Sequence, residues 1–247
     1  MKTPKELFSC DRSNINRSEL YLLILREIFN EDEPYLKELL DKLGDKKEKL
    51  EKSAHFYYYI CQPYANNNDV REELRLVGIT SLIEGMMQGI EYKDFFQWFE
   101  SIYKVNKIED YSKIKEEYLE QFGATRRIKS YFKNYILGDD KKSLLECIKL
   151  FTNRNGFVRF NSIDKIAQFL YSMRSEFVHI ARMHSLCPED CHLAAIYVGG
   201  KSYKVNIKIS EFMKIFERSF INFWEKKAGI INQNLAHPSP KLFDATT

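Results

Sequence analysis

The sequence predicts a mainly α-helical protein with one β-hairpin. Apolar residues recur at helical spacing through most of the 247 residues, and only ten Gly and six Pro interrupt them. The exception is the segment 193–209, in which Gly199-Gly200 separates two arms that favour strands. Because paired glycines supply the positive φ angles of a tight turn, this segment is predicted to form a hairpin.

Residues 1–65 are predicted to form an N-terminal helical extension. Helices are expected over Arg17–Phe29 and Tyr35–Leu43, where leucine and isoleucine repeat on one face. The charged run Asp45–Lys52 is most simply a solvated helix end or a connector. The polar stretch that follows Gln62-Pro63 breaks the helical pattern, and it is therefore the predicted domain boundary.

Residues 66–230 are predicted to form the main helical domain, followed by a frayed tail over 231–247. Its helices are expected where apolar periodicity is strongest, at Val70–Glu91, Tyr92–Val105, Ser112–Phe122, Ala124–Leu137, Lys142–Phe151, Ser162–Met183 and Ser210–Trp224. Ser162 is placed to cap the long helix that follows it.

Composition narrows the class of function. With 38 Lys and Arg against 35 Asp and Glu, the net charge of +3 permits RNA binding without a strong basic footprint. No apolar run is long enough to cross a bilayer and no signal-peptide core is visible, so a cytoplasmic protein without a membrane partner is expected. Five widely spaced cysteines are expected to be reduced thiols. No phosphate-gripping glycine loop or nucleotide fingerprint is visible in the sequence.

The predicted helix Ser162–Met183 carries the residues best suited to chemistry. Arg174 and His179 are separated by four residues, and Ser175 directly follows the arginine. On a helix Ser175, His179 and Arg182 share a face, whereas Arg174 lies about 140° away from His179. Imidazole can move protons near neutral pH, and a guanidinium can hold phosphoryl oxygens. These residue types therefore favour chemistry at a phosphate.

A plain structural interpretation competes with that one. A single histidine on a mostly apolar helix is more often a satisfied core or boundary residue. An arginine nearby is often the partner of a carboxylate, for which Glu176 or Glu84 are the candidates. Whether both side chains open into one solvent-filled cleft separates the two interpretations.

The sequence of this helix resembles that of a known protein superfamily. Its sequence reads Leu170-Tyr171-Ser-Met-Arg174-Ser175-Glu-Phe-Val-His179, which resembles the HEPN superfamily and most of all its ApeA-like branch. Upstream, Leu74–Glu84 is similar to the helix that packs beside the motif helix in that family. The resemblance covers about residues 70–224. Two departures are Ser175, where many active members have Asn or Asp, and Ile180, where a small residue is common.

The resemblance implies a HEPN-type helical bundle that acts as a metal-independent endoribonuclease in a defence or toxin-type system. RNA would be cut by attack of its own 2′-hydroxyl, with Arg174, His179 and Ser175 as the catalytic set and no cofactor. Two motifs are expected to meet across a homodimer, and an antitoxin or defence-system partner is possible. The alternatives are a non-catalytic HEPN module that binds nucleotides or proteins, and a helical protein unrelated to HEPN.

Basic residues outside the motif predict contacts with RNA. Arg126, Arg127 and Lys129 lie on one predicted helix together with Tyr131, and Arg182 follows the motif histidine. Such mixtures of cations and rings suit a nucleic-acid backbone, although a solvated helix face is the ordinary alternative.

Four side chains that could ligate zinc follow the motif, namely His184, Cys187, Cys191 and His192. The three-residue gap between the cysteines is not that of a usual zinc knuckle, and His192 is adjacent to Cys191. A loop with free thiols and no metal is therefore expected.

Overall fold

In the computed structural model the described residues are 17–29, 33–58, 72–88, 95–102, 111–188 and 190–230. The predicted domain boundary near residue 65, the tail 231–247, and the thiols of Cys10 and Cys61 lie outside these ranges. Within the described part of the chain, no helix is long and apolar enough to cross a membrane.

The fold is mainly helical, as predicted, and most predicted helices are present with shorter ends. The helices are α1 Arg17–Ile28, α2 Glu33–Leu43, α3 Lys47–Phe56, α4 Glu72–Met87, α5 Phe95–Ile102, α6 Tyr111–Phe122, α7 Ala124–Tyr135, α8 Gly138–Cys147, α9 Ile163–Ile180 and α10 Ile209–Lys227. The charged run after α2 forms a 3₁₀ turn, Gly44–Lys46, and the start of α3. Leu50 of that run is fully buried, which explains why the helix continues there.

The predicted hairpin is present, but it belongs to a larger sheet. In the described residues the sheet has four antiparallel strands in the order β2-β1-β4-β3. The strands are β1 Ile148–Thr152, β2 Gly156–Arg159, β3 Ala194–Val198 and β4 Lys201–Val205. The expected helix Lys142–Phe151 is therefore wrong after Cys147, because Leu150 pairs with Val158 on one side and with Tyr203 on the other.

Helix α10 forms the centre of the hydrophobic core. Phe212, Phe216, Phe220 and Trp224, at steps of four, are each at most 2% exposed. The N-terminal helices join this core, because Tyr57 packs its ring 5.2 Å from Phe216 and 6.1 Å from Phe220 between centroids. The predicted extension and main domain thus share one core.

Helix α9 is held between the helices and the sheet. It begins after Ser162, whose hydroxyl accepts a hydrogen bond from the Asp164 backbone N–H at 3.2 Å, so the predicted cap is confirmed. Its own side chains Phe169 and Met173 are buried, and the centroid of the Phe169 ring lies 4.4 Å from that of Tyr203 in β4. The helix ends at Ala181, which has a left-handed φ of 54°.

Candidate functional site

Arg174 is fixed by a carboxylate from the neighbouring helix α4. Its Nη2 lies 3.1 Å from Glu84 Oε2, and Arg127 of α7 donates from Nη2 to Glu84 Oε1 at 2.9 Å. The three side chains are each between 16% and 21% exposed. One carboxylate thus joins α4, α7 and α9, and two cations around it leave a local positive charge.

Aromatic packing further restricts Arg174. Its guanidinium carbon lies 5.9 Å from the ring centroid of Tyr171, one turn earlier on α9. The Arg174 Nε atom is buried and forms no hydrogen bond within the described residues. The Arg174 side chain is thus anchored between helices and one-fifth exposed.

His179 lies in the last turn of α9 and is exposed. Within the described part of the chain, its imidazole makes no hydrogen bond, ion pair or ring contact, and none with Ser175, which is one turn earlier on the same face. The flanking residues Val178 and Ile180 are 52% and 58% exposed. The structure therefore places Arg174 against the helices and His179 at the surface, and it does not join them within one chain.

Glu176 ties the end of α9 to the hairpin. Its Oε1 accepts the Gly199 N–H at 2.8 Å, while Oε2 lies 2.8 Å from His184 Nε2 and 3.4 Å from Arg182 Nη1. The hydrogen bond from Gly199, followed by that from His184, holds the pKa of Glu176 below its usual range. Arg182, predicted to contact RNA, is thus paired with a carboxylate at an exposed position.

The loop after α9 does not gather the four candidate metal ligands. Cys187 is buried and its thiol donates to the Cys191 carbonyl oxygen at 3.3 Å, whereas His184 contacts Glu176. Cys191 and His192 are exposed. Among the described residues no group of three or more His, Cys, Asp or Glu side chains has a geometry that could hold a metal ion.

The residues of the basic helix α7 that were predicted to contact RNA lie in two different environments. Arg126 is exposed and Lys129 is half-buried, whereas Arg127 is occupied by Glu84. Tyr131, the ring that the sequence places on the same helix, does not reach the surface. It is fully buried, and its hydroxyl is 2.9 Å from Ser219 Oγ in α10.

Sequence reasoning missed the residues of β1 and β2, which carry exposed cations and rings. The signal was present, because Asn155-Gly156 is a strong hairpin turn between two arms of β-favouring residues. A cavity of about 480 Å³ lies between this sheet and α9. Its lining includes Arg159, Lys165 and Lys201, and no Asp or Glu is among the lining residues.

The sequence matches no protein-family model, and neither the curated proteins nor the solved structures contain a match to it.

Proposed function

We propose that this protein is a metal-independent endoribonuclease of a defence or toxin-type system. The observation that carries the proposal is that α9 places an arginine and a histidine in two different environments. Arg174 is anchored by Glu84 and one-fifth exposed, while His179, five residues later, is exposed and its imidazole forms no bond with the described residues. An imidazole that can transfer protons and a guanidinium that can stabilise phosphoryl charge suit RNA cleavage by internal attack.

The chemistry follows from those two side chains. A neutral imidazole takes the proton from the ribose 2′-hydroxyl as that oxygen bonds to the adjacent phosphorus. The bond from phosphorus to the 5′-oxygen breaks, and an imidazolium returns a proton to that leaving oxygen. Arg174 would stabilise the charge that grows on the non-bridging oxygens. The products are a 2′,3′-cyclic phosphate and a free 5′-hydroxyl.

A homodimer would place the arginine of one chain beside the histidine of the other. Arg174 and His179 are about 140° apart around α9, so a second copy would bring an arginine and a histidine together more readily than one chain does. The apolar side chains beside the histidine are open to solvent: Val178, Ile180 and Met183 are 52%, 58% and 40% exposed. An isologous contact through this end of α9 would bury them and place both histidines in one cleft.

A non-catalytic nucleotide-binding or protein-interaction module is the second candidate. The observation that favours it is the pairing of Arg174 with Glu84, since a carboxylate competes with phosphate for the guanidinium. In that case Arg174 mainly stabilises the packing of α9 on α4.

Incubating the purified chain with mixed RNA in EDTA tests the proposal. We expect cleavage products with 2′,3′-cyclic phosphate ends, and a loss of about 10²- to 10⁴-fold in rate for His179→Ala. His192→Ala removes another exposed histidine and should leave the rate unchanged. A requirement for Mg²⁺, or a fully active His179→Ala variant, would exclude this mechanism. An Arg174→Ala chain that unfolds would favour the structural role of the ion pair.

A further inference from the structure

The sheet has an outer face that points away from α9. Leu150, Val158 and Tyr203 line the cavity against α9, so the alternate positions of the strands face outward. We call these positions the outer sheet face, which consists of Lys149, Phe151, Phe157, Arg159, Ala195, Tyr197, Ser202 and Lys204. Arg159 has this register position at the end of the edge strand β2, and its side chain also borders the cavity.

The charge of the sheet has one sign. Its two hairpins, residues 148–159 and 194–205, contain five Lys or Arg and no Asp or Glu. Over the whole chain the two classes are nearly equal, at 38 and 35. Local composition therefore departs sharply from that of the rest of the protein, and a polyanion is the complementary ligand.

Strand register places three of these cations side by side. Lys149 is directly opposite Arg159 in β2 and directly opposite Lys204 in β4. We call these three residues the cation row. Arg159 comes only within 3.9 Å of the exposed Glu146, and neither Lys149 nor Lys204 forms an ion pair with the described residues. Because like charges in directly opposed positions destabilise a sheet, the row indicates an anionic ligand.

Exposed rings run beside the cation row. Phe151 is opposite Phe157, with 5.3 Å between ring centroids, and Tyr197 lies on β3 opposite Ser202. We call Phe151, Phe157 and Tyr197 the ring row; they are 45%, 46% and 61% exposed. Lys204 Nζ is 6.0 Å from the Phe157 centroid, so the two rows adjoin. Rings flanked by cations are the arrangement on which unpaired bases stack.

We propose that the outer sheet face binds single-stranded RNA, with bases stacked on the ring row and phosphates held by the cation row. Stacking needs exposed base faces, which a duplex does not offer, so single strands should bind more tightly than duplexes. The proposal rests on the proposed function for the choice of RNA as the polyanion. It adds the surface that holds the strand, and none of the eight positions belongs to the Arg174–His179 site.

Binding is tested on the full chain carrying His179→Ala, by anisotropy of a short labelled single-stranded RNA, its duplex, and heparin as a ring-free polyanion. Alanine at all three positions of the cation row should lower the slope of log affinity against log salt by about 2, because each phosphate contact on a single strand contributes about 0.7. Phe151→Val and Phe157→Val should each weaken single-strand binding roughly tenfold, since valine keeps strand propensity but removes the stacking ring.

Matched variants separate this site from general charge. The triple variant Lys37→Ala, Lys46→Ala and Lys142→Ala removes three exposed cations from helical segments and should leave affinity within about twofold. The proposal is overturned if the chain does not bind, binds duplex or heparin as tightly as single strands, or is unaffected by the ring-row variants. If the cation-row variant unfolds, the binding measurements are made on Tyr197→Val instead and judged by the same criteria, since this variant changes one exposed side chain.

The outcome is independent of catalysis. If the wild-type chain binds single strands at this face but cuts no RNA, the proposed nuclease function fails and the binding surface stands. If it cuts RNA while the outer-face variants bind normally, the surface fails and the nuclease stands.

Discussion

Glu84 is the residue that fixes the position of the Arg174 side chain. From sequence alone, a carboxylate on an upstream helix was either a surface residue or a partner for the motif arginine. The structure shows that it pairs with Arg174 and with Arg127 at once, at 3.1 and 2.9 Å. Sequence spacing along α9 could not reveal this, because the contact is made between three helices that are distant in the chain.

Glu217 is a second residue whose behaviour follows from burial. It is 0% exposed on α10, and neither carboxyl oxygen has a hydrogen-bond partner in the described part of the chain. Burial, followed by the nearby charge of Glu27, raises its pKa from 4.5 to about 8. The folded state therefore favours the protonated, neutral acid.

This shift predicts a pH-dependent stability. Since the folded pKa is above the unfolded one, the folded chain binds more protons between pH 4.5 and about 8, and stability should fall as pH rises through that window. Glu217→Gln keeps the shape without the charge, so it should flatten the fall and raise the free energy of unfolding at pH 8 by about 4 kcal/mol. Urea unfolding at pH 5, 6.5 and 8 measures both effects.

An exposed carboxyl provides the control. Glu116→Gln on α6 removes the same charge from the surface and should change the free energy of unfolding by less than about 0.5 kcal/mol at each pH. Parallel pH profiles for the parent and Glu217→Gln would show that Glu217 does not titrate in this range.

At the scale of whole elements, the C-terminal end of α9 has the largest effect on the candidate site. Its last turn carries His179, and its C-terminus is closed by Ala181 in the left-handed region at φ 54°. The Ala181 N–H donates to the Phe177 carbonyl oxygen at 3.0 Å, and the Arg182 N–H donates to that of Glu176 at 3.4 Å. Glycine is the residue that usually occupies this position, because a Cβ atom makes the conformation costly.

Ala181→Gly should therefore stabilise the chain by about 1 kcal/mol, observed as a higher urea midpoint with an unchanged slope. Gly199→Ala is the matched opposite change. Its φ is +58°, and the added Cβ would meet the Ser172 side chain only at 3.7–3.8 Å, so the conformational cost dominates and stability should fall by a similar amount. Equal destabilisation by both substitutions would contradict this account of the helix end.

The elements also show which parts of the fold the sequence could predict. Helices α7 and α9 have clear apolar periodicity, α4 is a long apolar segment, and the β3–β4 hairpin has a glycine pair at its turn, so each was predicted within a few residues. Strands β1 and β2 were missed because Ile148 and Phe151 continue the apolar face of Leu144 in α8, and this helical pattern outweighed the hairpin signal of Asn155-Gly156. The motif residues of the candidate site were found by their spacing, whereas the cations of the outer sheet face depend on strand register.

At the scale of the whole molecule, the N-terminal helices are integral to the core that positions α9. Tyr35 of α2 donates a hydrogen bond to the Glu225 carboxylate of α10, and Tyr57 packs against Phe216 and Phe220. Tyr131 of α7 stacks 6.4 Å from Phe216 between centroids. The helix that packs beside α9 therefore shares its support with the N-terminal extension.

Mixing two inactive variants tests whether Arg174 and His179 act across a dimer. In a heterodimer of Arg174→Ala and His179→Ala chains, the shared cleft keeps one arginine–histidine pair, with the arginine from one chain and the histidine from the other, and it has lost the second pair. Half of the dimers in an equilibrated equal mixture are heterodimers, so about a quarter of the parental cleavage rate should return. A chain that carries both substitutions, mixed with either single variant, should restore nothing and serves as the control. If arginine and histidine act from the same chain, the two single variants together remain as inactive as each alone, and the composite site is refuted even if the protein is a dimer.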